Sequence, residues 1–264
     1  MSEQQDVLFS VDNHVATITL NRPDRQNTIS GPMLASLSEY LLQGDRDPDV
    51  RAIVITGAGK FFCAGLDLRS GGIASGLSNQ RTSPANLDLR NTPPTVLHNL
   101  DTPTICALNG SAAGYGMDLA LGCDIRLMAD TAKLAAAFTK RGVLPESGGT
   151  WILPRLIGWS KASEIIFTGR TLGPQDCLDY GLVSRVVNSN ELPAAAAALG
   201  REIAANAPLA VQGSKRMMRM GMNETFNDHV HHVFLQLLPL FQSEDFKEGM
   251  KSFMEKRDPE FKGL

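Results

Sequence analysis

Two acidic residues, each beside a cluster of glycines, are the groups in this chain best placed to move a proton. Asp118 ends the stretch Asn109-Gly110-Ser111-Ala112-Ala113-Gly114-Tyr115-Gly116-Met117-Asp118, and Glu146 lies in Leu144-Pro145-Glu146-Ser147-Gly148-Gly149-Thr150. The first stretch follows the apolar run Thr104-Ile105-Cys106-Ala107-Leu108, of strand length, and precedes Leu119-Ala120-Leu121, which continues as helix. It therefore reads as a strand, a glycine-rich turn and a helix start. Glycines let backbone pass close to a ligand, and the unpaired N–H groups of a helix N-terminus attract negative charge. That combination is an anion hole. Asp118 in the first helical turn is equally well explained as an acid that favours the helix dipole, and Glu146 before Gly148 admits the same reading.

A second small-residue turn comes earlier. Arg51-Ala52-Ile53-Val54-Ile55-Thr56-Gly57 reads as a buried strand, and Phe61-Phe62-Cys63-Ala64-Gly65-Leu66-Asp67-Leu68 follows, where Ala64 and Gly65 again permit close approach. Together the three stretches resemble the crotonase superfamily, the enoyl-CoA hydratase and isomerase fold. The match runs from Asn21-Arg22-Pro23 to Phe246-Lys247-Glu248-Gly249 and the terminal Pro259-Glu260-Phe261-Lys262-Gly263, with the motifs in the family's order. The resemblance implies an α/β fold, a crotonase-type spiral of β-β-α repeats over residues 1–192 that carries an acyl-CoA site. A helical C-terminal region over residues 193–264 would then build a homotrimer or, by pairing trimers, a homohexamer.

The same resemblance assigns the site. Two backbone N–H groups, those of Leu66 and Tyr115, would hold the thioester oxygen, with Ala64, Gly65, Asp67, Leu68 and Gly114 beside them. Tyr115 stands where the family usually has glycine, a change that backbone donation tolerates. The two glutamates of the family's hydratases fall on Asp118, shorter by a methylene, and on Phe138, which neither accepts a proton nor orients water. Glu146 falls where Δ3,Δ2-enoyl-CoA isomerases carry their catalytic glutamate. Its separation of 28 residues from Asp118 matches the paired aspartates of dienoyl-CoA isomerases. The segment from Ala137-Phe138-Thr139-Lys140 through Pro145-Glu146-Ser147-Gly148-Gly149-Thr150-Trp151 is especially like the phenylacetate-pathway ring-epoxide isomerases.

The expectation is an acyl-CoA double-bond isomerase with Glu146 as base and Asp118 assisting. No cofactor is expected beyond the coenzyme A carried by the substrate. In relatives Arg22 and Arg25 border the CoA phosphates, and Lys256, Arg257 and Lys262 lie in a tail that reaches a neighbour's CoA; each also reads as a solvated charge. The enzymatic alternative is hydratase or lyase action by Asp118 with Glu146. A crotonase-fold binding protein without catalysis is the non-enzymatic one.

The elements that position these residues follow from composition and pattern. The chain has 264 residues, 43% of them hydrophobic, enough for a sizeable core. A net charge of −3 gives no general attraction to nucleic acid or an anionic membrane, so neither partner is expected. The polar N-terminus and the lack of a membrane-length apolar run lead to an expected cytoplasmic location. Cys63, Cys106, Cys123 and Cys177 lack C-x-x-C spacing and read as buried free thiols, and His229, His231 and His232 have no further ligand at metal-binding spacing.

Alternation in Val7, Phe9 and Val11 and the β-branched run 15–20 predict a hairpin turning at Asp12-Asn13. Ser30 caps a helix with Met33, Leu34, Leu37, Tyr40 and Leu41 on one face. Strands are expected at 51–56, 124–128 and around Lys133-Leu134, and helices at 149–156 and at 160–168, the latter capped by Ser160. Residues 70–94, rich in Gly, Ser, Asn and Pro, read as a loop or lid beside the site. Helical patterns follow at 194–198, 209–220 and 225–241, then at 244–256 capped by Ser243, and the apolar residues at 230–241 exceed one packing face.

Overall fold

The computed structural model describes residues 5–67 and 90–264. Alternating apolar residues start the fold as a hairpin, in which β1 (Val7–Asp12) and β2 (Val15–Leu20) pair antiparallel from Val7 opposite Leu20 to Asp12 opposite Val15. The turn residues are Asn13 and His14, at φ 48° and 63°, one position later than residue type suggests. Two successive left-handed residues give the turn whose twist matches its strands. The Ser30 hydroxyl then accepts from the Met33 N–H and caps α1 (Gly31–Arg46), which buries Met33, Leu37 and Leu41.

From here each long strand is followed closely by a short one. β3 (Ala52–Gly57) leads to β4 (Phe61–Cys63), and α2 (Pro93–Asn99) brings the chain to β5 (Thr104–Leu108) and β6 (Ser111–Ala113). After α3 (Tyr115–Gly122) come β7 (Ile125–Ala129) and β8 (Leu134–Ala135), then α4 (Gly149–Ile157) and α5 (Trp159–Thr168). β9 (Thr171–Leu172), α6 (Pro174–Asp179) and β10 (Arg185–Val187) complete the series. The long strands and the short β10 form one sheet, ordered β1-β2-β3-β5-β7-β10, and the other short strands form a second, ordered β4-β6-β8-β9. Among the described residues only β1–β2 and β8–β9 run antiparallel. This is the expected spiral of β-β-α repeats.

Three local expectations are corrected. The glycine-rich stretch is more than a turn, because Ser111–Ala113 pairs with β4 and β8. Ser160 lies within the first turn of α5, whose cap is Gly158 at φ 78°. Pro93 and Pro94 begin α2 and so belong to no loop, while residues 70–89 of the expected lid, and Leu68, lie outside the described residues.

The core lies between the six-stranded sheet and its helices, with Ile18, Leu20, Leu37, Leu41, Ile53 and Ile55 at 1% exposure or less. Burial of each such side chain contributes about 1.5–3 kcal/mol. α7 (Leu192–Ala204) packs on β2, β3, β5 and β7. α8 (Pro208–Gly221) is tied to the approach to β5, where Lys215 Nζ donates to Thr102 O at 2.8 Å and Arg216 and Arg219 both pair with Asp101. α9 (Phe226–Leu240) buries none of its residues, and α10 (Glu244–Glu255) is capped by Ser243. The four cysteines are buried and free. Among the described residues no helix is long and apolar enough to cross a membrane and no group of side chains could hold a metal ion. His229 and His232 instead share Glu224, at 3.3 and 3.0 Å.

Candidate active site

A cavity of about 610 Å³ opens where β4, the start of α3 and the loop before α4 meet. Its lining includes Ala64, Gly65, Leu66, Asp67, Gly114, Tyr115, Phe138 and Glu146. β4 is positioned by two side-chain amides. Asn27 Nδ2 donates to Ala58 O and Phe61 O, and Asn109 Oδ1 accepts from Gly57 N while its Nδ2 donates to Gly59 O. Beyond β4 the chain pairs with Ile29. Ile29 N donates to Gly65 O and Asp67 N to Ile29 O, each at 2.9 Å. Alternate residues of an extended chain point their peptide groups to opposite sides, so the Leu66 N–H faces away from this pairing.

Tyr115 is the first residue of α3, and its N–H has no residue one turn earlier in the helix to bond. Gly65 brings the two loops together at φ 106°: a Cβ there would lie 3.0 Å from Ala113 O and 3.9 Å from Tyr115 N. Gly116 lets α3 touch β4, since a Cβ would stand 2.1 Å from Cys63 O. The result is a pair of free N–H groups at the cavity wall, fit to hold an oxygen that gains negative charge. The Tyr115 ring is 3% exposed, its hydroxyl has no partner, and burial first, then Cys63, Glu146 and Asp118, push the phenol upward.

The two carboxylates differ. Glu146 lines the cavity and is open to solvent on one side; partial burial raises its carboxyl above the ordinary value against the effect of its own backbone N–H. Asp118 is 2% exposed, is absent from the cavity lining, and accepts from Ser147 N at 3.2 Å and Gly149 N at 3.3 Å. Burial pushes it up to about 7; the Glu146 charge adds to this, and the two N–H groups oppose it. Phe138, 4% exposed, supplies an apolar wall. Cys63 is not a nucleophile here, since burial pushes its thiol up to about 12.

The basic residues separate more sharply than their sequence positions suggest. Arg25 lines the cavity. Arg22 instead pairs with Asp67 at 3.1 Å and donates to Thr28 O at 2.9 Å, with its side chain 17% exposed. Lys256 and Lys262 lie outside this chain's cavity: Lys256 ends α10, and Lys262 N donates to Asp245 Oδ1 at 2.7 Å as the tail folds back on that helix. Arg141 also lines the cavity and was not expected there. It follows Phe138 by three residues in the short helical turn Thr139–Arg141, and that spacing was the available signal.

Known proteins resemble this chain over nearly its whole length. The family model described as Enoyl-CoA hydratase/isomerase matches residues 10–264. The chain is 36% identical over 263 residues to the 1,2-epoxyphenylacetyl-CoA isomerase of Escherichia coli (strain K12), covering 97% of this chain and 98% of that one. It is 36% identical over 259 residues to the (E)-benzylidenesuccinyl-CoA hydratase of Thauera aromatica, with coverages of 97% and 99%. The crystal structure of an enoyl-CoA hydratase from Bacillus anthracis superposes with a TM-score of 0.87 at 32% identity, covering 98% of this chain and 100% of that chain.

Proposed function

Because the chain belongs to the enoyl-CoA hydratase/isomerase family, we propose that it is an acyl-CoA double-bond isomerase with Glu146 as its base. The Glu146 carboxylate removes a proton from C2 of a 3-enoyl-CoA, and the electron pair spreads over the thioester as a dienolate. The Leu66 and Tyr115 N–H groups hold the charged oxygen, each contributing roughly 3 kcal/mol to the transition state. Return of the proton at C4 leaves the double bond between C2 and C3. A base with its carboxyl raised toward neutrality suits this exchange.

The observation that carries the reading is the pairing of Glu146 with Phe138 in the cavity lining. Hydration by the usual arrangement needs two carboxylates about a water, and an apolar ring occupies one of those positions. The likeness to a 1,2-epoxyphenylacetyl-CoA isomerase supports the isomerase reading, and the likeness to a hydratase keeps hydration by Asp118 with Glu146 as the second. Incubation with a 3-enoyl-CoA is expected to yield the 2-enoyl-CoA, and Glu146→Gln to lose roughly 10²-fold or more of that rate. Full activity of Glu146→Gln, or rapid hydration of crotonyl-CoA abolished by Asp118→Asn alone, rejects the assignment.

The same reading sets the CoA phosphates beside Arg25, which lines the cavity, and makes the assembly a trimer or a dimer of trimers. Support for assembly comes from α9 and α10, whose Phe234, Leu235, Leu238, Phe253 and Met254 are all more than half exposed in the single chain.

A further inference from the structure

Asp118 shares a first-turn helix position with the acid that a proton shuttle would use, but its carboxylate is committed elsewhere. α4 begins at Gly149 with Gly148 as its cap, so the Gly149 N–H is among those its N-terminus leaves without helical partners, and the Ser147 N–H lies in the turn just before the cap. Asp118 Oδ2 accepts from both, across a gap of 29 and 31 residues in sequence. The close fit is built in: a Cβ on Gly149 would stand 2.2 Å from Asp118 Oδ1. Glu146 lies immediately before this held pair, so the peptide that leaves its Cα is one of the two that Asp118 grips. We infer that Asp118 is a positioning residue, whose carboxylate fixes the turn 146–149 and thereby aims Glu146 into the cavity, and that it takes no proton from substrate.

The inference rests on Glu146 being the base and deepens that reading by making it the sole proton carrier. Asn in place of Asp118 keeps an oxygen able to accept from both N–H groups but has no acid or base function; Ala keeps neither. With 3-enoyl-CoA as substrate, Asp118→Ala is therefore expected to lower kcat at least about tenfold with little change in KM. Asp118→Asn is expected to recover most of that loss, and to remain well above Glu146→Gln. If Asp118→Asn falls to the level of Glu146→Gln, Asp118 is a proton carrier and the inference is overturned. Equal, full activity of the Ala and Asn variants overturns it as well. Should Asp118→Ala fail to fold, the comparison of Asp118→Asn with Glu146→Gln decides alone. An active Glu146→Gln enzyme would sink the function assignment instead, so the two failures read differently.

Discussion

Asp118 accepts a hydrogen bond from the Ser147 N–H at 3.2 Å, so the acid of one helix N-terminus satisfies the backbone of another. The arrangement links α3, which supplies the Tyr115 N–H, to the turn that carries Glu146. A charge held this way still suffers from its surroundings, because burial at 2% exposure outweighs the two N–H donors and pushes the carboxyl up to about 7.

That balance sets a pH dependence of stability. A carboxyl raised on folding binds its proton more tightly folded than unfolded, so its contribution is full below its ordinary value of 3.8 and is lost as pH rises through about 7. The loss amounts to at most about 4 kcal/mol over that interval. Urea unfolding of wild type and Asp118→Asn should show the variant gaining on wild type between about pH 4 and about pH 7. A difference independent of pH would contradict the shift. Glu146 is raised too and has the same sign, but it is common to both proteins.

The first helical position tolerates proline, so Tyr115→Pro deletes the N–H while keeping the start of the helix, at the cost of the buried ring. Tyr115→Pro is expected to lower kcat by roughly 10²–10³-fold. Tyr115→Phe keeps the N–H and removes a buried hydroxyl that has no partner, so it should melt at the same temperature or higher. Equal kcat for the Pro variant and wild type would remove Tyr115 from the oxygen-holding pair.

Phe138→Glu places a second carboxyl in the cavity wall. The expected outcome is a rise in 3-hydroxyacyl product from 2-enoyl-CoA, read by chromatography of the CoA esters. Burial of the new carboxyl at a site only 4% exposed should cost stability by a few kcal/mol. No hydration in a folded variant would mean that Phe138 is not what separates isomerase from hydratase here.

Arg22 and Arg25 should separate in experiment as they do in space. Loss of Arg22 removes a guanidinium 3.1 Å from Asp67, whose side chain is 8% exposed, so Arg22→Met should destabilise the protein by about 1–3 kcal/mol in chemical unfolding. Arg25→Met should leave stability within about 0.5 kcal/mol and raise KM for acyl-CoA several-fold. The reverse pattern would exchange their roles.

Assembly is testable on the intact chain. Phe226, Phe253 and Met254 are 79%, 82% and 71% exposed in one subunit, a hazard for a monomer in water. Sedimentation at micromolar concentration should find no stable monomer, and truncation at Ser243 should cost assembly. An active, compact monomer would refute the trimer and leave Glu146 untouched.

The spiral followed from the resemblance to the crotonase superfamily, whereas local pattern carried the long strands, the capped helices and the two small-residue turns. Those features are local: apolar runs of strand length, hydroxyl caps at Ser30 and Ser243, and glycines where chains must nearly touch. Short strands were hard to see for the same reason, since Ser111–Ala113 has too few residues to display a period. The direction of each charged side chain was not legible. Asp118 and Glu146 both read as first-turn acids, and Arg22 and Arg25 both as phosphate neighbours. Only the packed structure turned Asp118 onto the α4 backbone, Arg22 onto Asp67 and Arg141 into the cavity. A side chain pairs with whatever the fold brings within about 3 Å, and for these groups the partners come from distant parts of the chain, which local pattern cannot encode.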